Sequence, residues 1–246
     1  MAHVQIHDES LDLSAPTLVE GLPGVGLVGK IAADHLVEQF EMTHYGSLYC
    51  EGIPRVAVYG KGESAVKAPV RLYADESRNL VVLQSDIPIS PSQAVEFSSC
   101  LSGWVEAHDA TPIFLSGLPT QKDANEPALY GVSTGEGASL LEAADISHPT
   151  EGGLISGPTG ALINRAAELD ITGVGLIVES DKQFPDPEAA RILLMRGIEP
   201  LADIDVDTDA LVSHAEEIRT AKEQFAKRMQ DADEESTQAK PLRMFQ

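Results

Sequence analysis

The alternation of short strand-like runs with helical stripes is the feature that most restricts how this chain can fold. Residues 17–20 and 79–86 resemble buried β-strands, and residues 25–40 carry apolar side chains at helical spacing. The pattern continues with strands predicted at 112–115, 128–133 and 172–179, and with helices at 94–108, 134–144, from Gly157 to Leu169, and from Asp186-Pro187 to a stop at Gly197. Such alternation predicts an α/β domain with a mostly parallel sheet covered on both faces.

The domain organisation follows from length and composition. The 246 residues contain no internal repeat or mid-chain linker, which predicts one domain over residues 1–206. Residues 207–230 predict an amphipathic helix with Leu211, Ile218 and Phe225 on one face, packed on the domain or on an oligomer partner. Residues 231–246 begin with DADEESTQAK, which lacks large apolar side chains and predicts a flexible acidic linker before a short tail.

The charge balance restricts the possible partners. Asp and Glu number 39 against 17 Lys and Arg, giving a net charge of −22 spread along the whole chain. Such a surface repels polyanions, so we expect no nucleic-acid partner. The composition resembles that of salt-accumulating halophilic archaea, where a Debye length of about 3 Å at 1 M salt screens self-repulsion.

Several sequence features bear on the compartment. No apolar run approaches the roughly 20 residues needed to cross a bilayer, and the N-terminal MAHVQIHDES lacks a basic segment followed by an apolar one. Cys50 and Cys100 lack C-x-x-C spacing and are predicted to be small, reduced core residues. We therefore expect a cytoplasmic protein without a membrane partner.

A glycine-rich segment, GLPGVGLVGKIAADHL at 21–36, raises the question of nucleotide binding. Gly24, Gly26 and Gly29 form G-x-G-x-x-G, and with Lys30 the string is also G-x-x-x-x-G-K. A nucleotide hydrolase needs Ser or Thr after the lysine to ligand Mg²⁺, whereas Ile31 follows here. The dinucleotide pattern keeps its preceding strand, its following helix and an acid, Glu51, 22 residues beyond Gly29.

The same glycines also admit an architectural interpretation. Glycine lets a strand turn sharply into a helix that packs closely on the sheet, whether or not a phosphate is present. The alternative is a nucleotide- or nucleoside-binding enzyme that uses residues 24–30. An anion site could then combine Lys30 and Arg71 with the turn Gly157–Gly160, which precedes a helix.

Other candidate chemistry is weak. There is no G-x-S-x-G elbow to hold a nucleophilic serine. His3 and His7 have a spacing that suits metal ligands on a helix, but they lie in a predicted strand, so no metal site is expected. His35 is predicted to be a packed or capping side chain.

The segment at 21–36 closely resembles the N-terminal signature of the archaeal branch of the proteasome assembly chaperone family, of the second chaperone type. The likeness runs from about Val4 to the C-terminal helix and includes PISPSQ and GPTGAL. It implies a three-layer α/β/α domain similar to nucleoside phosphorylases, usually without their catalytic residues. It also implies a non-enzymatic homo-oligomer with no cofactor. From the residues themselves, we expect the glycine loop of Gly24, Gly26, Gly29 and Lys30 to be structural.

The C-terminus adds a second resemblance. Met244-Phe245-Gln246 looks like the hydrophobic-tyrosine-X ending with which proteasome activators and assembly chaperones dock between α-ring subunits. The resemblance implies that the terminal carboxylate pairs with a pocket lysine of the proteasome α-subunits. Phe245 replaces the tyrosine, and the missing hydrogen bond is worth roughly 0.5–1.5 kcal/mol. The expected function is proteasome assembly chaperone-like binding of the α-ring.

Overall fold

The computed structural model describes residues 3–51, 53–60, 62, 64–120, 126–182 and 185–212. Three predicted features lie mostly or wholly outside these residues: the helix over 207–230, the linker that begins at 231, and the tail Met244-Phe245-Gln246. Residues 209–212 are helical, and Leu211 is buried.

The centre of the described structure is an eight-stranded sheet. Its strands are β1 His3–Ile6, β2 Thr17–Gly21, β3 Thr43–Tyr49, β6 Val70–Asp75, β7 Leu80–Ser85, β8 Thr111–Pro119, β9 Leu129–Thr134 and β10 Gly173–Ser180. Their order across the sheet is β1-β3-β6-β7-β2-β8-β10-β9. A separate hairpin pairs β4 Val58–Tyr59 with β5 Val66–Lys67. Strands β7, β2, β8 and β10 run parallel at the centre. Because β3 also runs in their direction, the predicted mostly parallel sheet is confirmed.

Helices cover both faces of this sheet. They are α1 Val28–Gln39, α2 Ala94–Ala107, α3 Gly137–Ala143, α4 Gly157–Glu168, α5 Pro187–Leu193 and α6 Glu199–Ala202, with a π turn Leu194–Ile198 between the last two. Short 3₁₀ turns at Val25–Leu27 and Pro91–Gln93 precede α1 and α2. Helices α1, α3 and α5 pack on one face, and α2 and α4 on the other. The three-layer α/β/α prediction is therefore confirmed.

Burial on both sides explains the continuous apolar runs in the central strands. In β7, Leu80 and Val82 pack on the α1 face, whereas Val81 and Leu83 pack on the α2 face. All four side chains are fully buried. Successive side chains of a strand point to opposite faces, so a strand covered on both sides needs apolar residues at every position.

The prediction that Gly197 closes the last helix of the domain is wrong. Asp186 caps α5 by accepting a hydrogen bond from the Ala189 amide at 3.1 Å, as its position before Pro187 suggested. The helical path then passes through Gly197 in the π turn and ends after Ala202. A Cβ on Gly197 would lie 2.5 Å from Cδ1 of Leu176 in β10. This glycine therefore permits close packing on the sheet instead of ending the helix.

The prediction of two reduced cysteines is also wrong. Cys50, just after β3, and Cys100, in α2, form a disulfide with a Cα–Cα distance of 5.9 Å. The bond ties the sheet to the helix that covers its α2 face. Disulfides are uncommon in reducing compartments, so the cysteines no longer support a cytoplasmic location.

A bilayer-spanning helix is not found in the described parts of the chain, where every helix is too short or too polar to cross a membrane.

The disulfide makes a direct stability prediction. Reduction should lower the free energy of unfolding by about 2–4 kcal/mol, since the bond closes a long loop in the unfolded chain. Cys100→Ser should unfold like the reduced protein and should not respond to reductant. Urea unfolding with and without reductant measures both effects. Identical unfolding of the untreated and reduced chains would contradict the pairing.

Candidate functional site: the glycine loop and the carboxyl edge of the sheet

The glycine loop lies where α/β proteins commonly bind ligands. It follows β2, whose neighbours β7 and β8 are both parallel to it. Ligands of open α/β sheets bind outside the carboxyl ends of such strands. Its position alone therefore makes the loop a candidate site, and its contacts decide what it can hold.

Gly26 packs against the end of β10 and the start of α5. Its φ of 63° is in the left-handed region, which favours glycine. A Cβ here would overlap the Ser180 hydroxyl and approach Cβ of Asp186. The Asp186 amide also donates to the Gly26 carbonyl at 2.8 Å. The protein's own atoms thus occupy the space beside this glycine.

The other two glycines of the pattern differ from each other. A Cβ on Gly29 would lie 3.2 Å from the Leu22 carbonyl oxygen and 3.3 Å from Cβ of Leu115, so Gly29 brings α1 close to the sheet. Gly24 is exposed, with extended backbone and open space around its Cα. Only Gly24 therefore faces a volume that a ligand could enter.

Lys30 and Arg71, two parts of the proposed anion site, are held by carboxylates. Lys30 Nζ lies 2.8 Å from Asp34 Oδ2 and 3.5 Å from Asp86 Oδ1. Arg71 is buried and contacts Asp86 at 2.7 Å and Gln84 Oε1 at 2.6 Å. The structure does bring the two cations together, as the anion-site hypothesis required. The intervening acids, however, neutralise them and repel a phosphate.

The third part of that hypothetical site lies on the opposite face. The turn Gly157–Gly160 forms the first residues of α4, which packs on the α2 face, whereas Lys30 belongs to α1. Thr159 in this turn donates from Oγ1 to Glu20 Oε1 at 2.9 Å. The helix start is therefore engaged by the end of β2 and does not join Lys30 and Arg71.

The acid predicted for a dinucleotide ribose is also displaced. Glu51 follows β3, which is separated from β2 by β6 and β7. Three strand spacings of about 4.8 Å put the end of β3 roughly 14 Å from the end of β2. In a dinucleotide fold the corresponding strand is adjacent to the glycine strand, so this sheet does not reproduce that arrangement.

The predicted histidines are dispersed. His3 stacks on Tyr49 with 5.6 Å between ring centroids, and His7 Nε2 lies 2.9 Å from Ser47 Oγ. His35 Nε2 is 2.7 Å from the Asp207 carbonyl oxygen, consistent with a packed side chain. Within the described ranges, no three His, Cys, Asp or Glu side chains are grouped so that they could hold a metal ion.

Glu20 is the residue at this edge that sequence reasoning missed. It is fully buried, accepts from the Leu115 amide at 2.9 Å through Oε2, and contacts Thr159 through Oε1. Burial raises the pKa of Glu20 to about 8, although the hydrogen bonds from Leu115, Thr159 and Leu22 oppose that rise. One signal was present in the sequence: an acid ends an otherwise apolar strand directly before the loop.

Comparison with known proteins supports the same overall picture. The PAC2 family profile matches residues 18–226, so the chain belongs to the PAC2 family. An uncharacterized protein of Methanocaldococcus jannaschii is 29% identical over 231 residues, covering 91% of this chain and 88% of that protein.

Two solved structures from Pyrococcus furiosus share the fold. PbaA, an archaeal homolog of proteasome-assembly chaperone, has a TM-score of 0.77 at 23% identity, covering 95% of this chain and 100% of PbaA. PbaB, an archaeal proteasome activator, also has a TM-score of 0.77 at 23% identity, covering 92% of this chain and 98% of PbaB.

Two glycine substitutions test whether Gly26 is needed for packing of the loop while Gly24 is not. Gly26→Ala should lower the free energy of unfolding by about 2–4 kcal/mol, because it combines a left-handed backbone with a clash at Ser180. Gly24→Ala should change it by less than about 1 kcal/mol, since its backbone is extended and its surroundings are open. Urea unfolding of both variants checks the pair. Equal losses in the two variants would contradict this packing role for Gly26.

Glu20 predicts a pH-dependent stability. Its folded pKa of about 8 lies above the ordinary value of 4.5, so folding favours the protonated acid. The stabilisation is complete below about pH 4.5 and is lost as pH rises through 8, at up to about 1.4 kcal/mol per pH unit. Glu20→Gln should remove this slope, because the amide donates to Thr159 and accepts from Leu115 without titrating.

Unfolding of the two proteins at several pH values between 5 and 9 provides the measurement. Glu179→Gln in β10 is the control substitution, because it removes one carboxylate of the same sheet at a position that is only half-buried. Parallel pH profiles for the parent chain and Glu20→Gln would exclude Glu20 as the source of the dependence.

Proposed function

We propose that this PAC2 family member is a non-enzymatic binding protein of the proteasome system. In this proposal it forms a homo-oligomer in the cytoplasm of a halophilic archaeon and acts as a proteasome assembly chaperone-like protein. Its C-terminal Met244-Phe245-Gln246 docks on the proteasome α-ring. The observation that carries the proposal is this tail on a chain of the PAC2 family.

The solved relatives support a proteasome partner. PbaA is a homolog of proteasome-assembly chaperone and PbaB is a proteasome activator, and both share the fold of this chain over nearly its whole length. A common fold does not by itself carry function. The tail supplies the specific chemistry of the proposal, because the apolar Met244 directly precedes the aromatic Phe245.

The carboxyl edge of the sheet favours binding over catalysis. Ser180 and Asp186 fill the space beside Gly26, and the carboxylates of Asp34 and Asp86 neutralise Lys30. The carboxyl group of Glu20 is fully buried and accepts hydrogen bonds from the Leu115 amide and the Thr159 hydroxyl. These features suit a domain whose glycine loop maintains packing while other surfaces contact the partner.

Tail docking makes a geometric prediction. A charge-assisted bond from the terminal carboxylate to a pocket lysine is strong only at the correct distance and angle. Adding one glycine after Gln246, or deleting residues 244–246, should abolish binding to isolated α-rings while the melting temperature stays unchanged. Phe245→Tyr should bind at least as tightly, because its hydroxyl restores the missing hydrogen bond.

Binding of each protein to immobilised α-rings, by interferometry in molar KCl, measures these effects. A variant with glycine inserted after Ala239, within the linker, is the matched control. It has the same length as the protein extended after Gln246, but it keeps the C-terminal residues of the parent chain. Undiminished binding by the protein extended after Gln246 would overturn tail docking.

A further inference from the structure

A groove of about 880 Å³ lies between the end of β3 and the β4–β5 hairpin. Its walls include the apolar side chains of Ile53, Val56 and Val66. Val56 and Val66 are 48% and 66% exposed, and Tyr59 on the same hairpin is 80% exposed. Exposed apolar side chains grouped around one groove are characteristic of a surface that binds another chain segment.

The groove is also cationic on a strongly acidic protein. Arg55 and Lys67 line it, and Glu51 is the one carboxylate among its described lining residues. The other arginines of the described structure each pair with an Asp or Glu: Arg71, Arg78, Arg165, Arg191 and Arg196. Among the described residues Arg55 has no such carboxylate partner, although the chain has 39 acidic residues. This charge fits an acidic occupant.

The chain itself contains a segment with the matching chemistry. Residues 231–235, DADEE, carry four carboxylates within five positions. Apolar residues follow after a short polar stretch, in the sequence PLRMFQ at 241–246. Acidic and apolar groups thus occur in the combination that the cationic and apolar walls of the groove would bind.

The length of chain beyond Val212 permits this contact. Residues 213–230 separate Val212 from Asp231, and a segment of that length spans about 27 Å as the predicted helix and roughly 60 Å if fully extended. A globular domain of this size is about 45 Å across. Even as a helix, the segment spans more than half the width of the domain, and the chain from Asp231 onward extends that reach.

We infer that the groove binds residues 231–246 of the same chain. The acidic run contacts Arg55 and Lys67, and Leu242, Met244 and Phe245 cover the apolar wall. Where the proposed docking on the α-ring holds, this contact withholds the tail until an α-ring displaces it. The groove is then an autoinhibitory site for the docking tail.

Photo-crosslinking in the full chain tests the contact without any proteasome. With Phe245 replaced by p-benzoylphenylalanine, irradiation should join position 245 to Ile53, Val56 or Val66, as mapped by mass spectrometry. The double substitution Arg55→Glu and Lys67→Glu should reduce this product at least five-fold. The double substitution Lys182→Glu and Arg196→Glu is the matched control, since both side chains are exposed and lie outside the groove, and it should leave the yield unchanged.

The crosslinking result has clear contrary outcomes. Crosslinks to other surfaces, or a yield unaffected by the double substitution, would overturn the inference. An equal mixture of isotopically light and heavy chains, unfolded and refolded together so that oligomers contain both, identifies the donor of the tail. Products between light and heavy chains would assign the groove to a second copy and overturn its occupation by the same chain.

Binding to α-rings then separates this inference from the proposed function. Release of the tail should make the Arg55→Glu, Lys67→Glu protein bind α-rings about five-fold more tightly than the parent chain. If neither protein binds α-rings but the crosslink forms, the proposed function fails and groove binding stands. If the parent chain binds and no groove crosslink forms, the proposed function stands and groove binding fails.

Discussion

The close approach of the glycine loop to its neighbouring strands determines the arrangement of the carboxyl edge. Val25 lies directly over Gly117 of β8, where a Cβ would come within 2.5 Å of the Val25 carbonyl oxygen. Gly26 meets Ser180 and Asp186 at the end of β10. These contacts fix the start of α1, and α1 in turn places Lys30 against Asp34 and Asp86. Loss of this close packing would therefore displace both the start of α1 and the ion pairs that Lys30 forms with Asp34 and Asp86.

Charge has different roles in the interior and at the surface. Arg71, buried beside Asp86 and Gln84, is satisfied within the sheet, and Glu20 is buried with hydrogen bonds from the Leu115 amide and the Thr159 hydroxyl. At the surface the chain is overwhelmingly acidic, with a net charge of −22. Arg55 departs from that pattern, because it lies exposed beside the apolar side chains of the groove. A cationic site on an otherwise acidic surface provides specificity for an acidic binding partner.

The order of secondary-structure elements could be predicted because it depends on local patterns. Apolar runs such as Leu80–Leu83 and the cap at Asp186 are recognised within a few residues. Features that depend on distant parts of the chain were mispredicted or missed. The pairing of Cys50 with Cys100, the burial of Glu20 by Thr159 and the passage of a helix through Gly197 all arise from tertiary contacts. The position of Glu51 depends on strand order, which periodicity does not encode.

The central position of β2 affects how the chain acquires its structure during synthesis. This strand emerges early, but its two partners, β7 and β8, are formed by residues 80–85 and 111–119. About 60 residues must therefore be made before β2 gains its first neighbour, and about 90 before it gains the second. Pairing between such distant segments is slow, and an apolar strand with free edges tends to associate with other chains. The nascent protein is thus most vulnerable to aggregation after β2 has been synthesised and before β7 and β8 have paired with it.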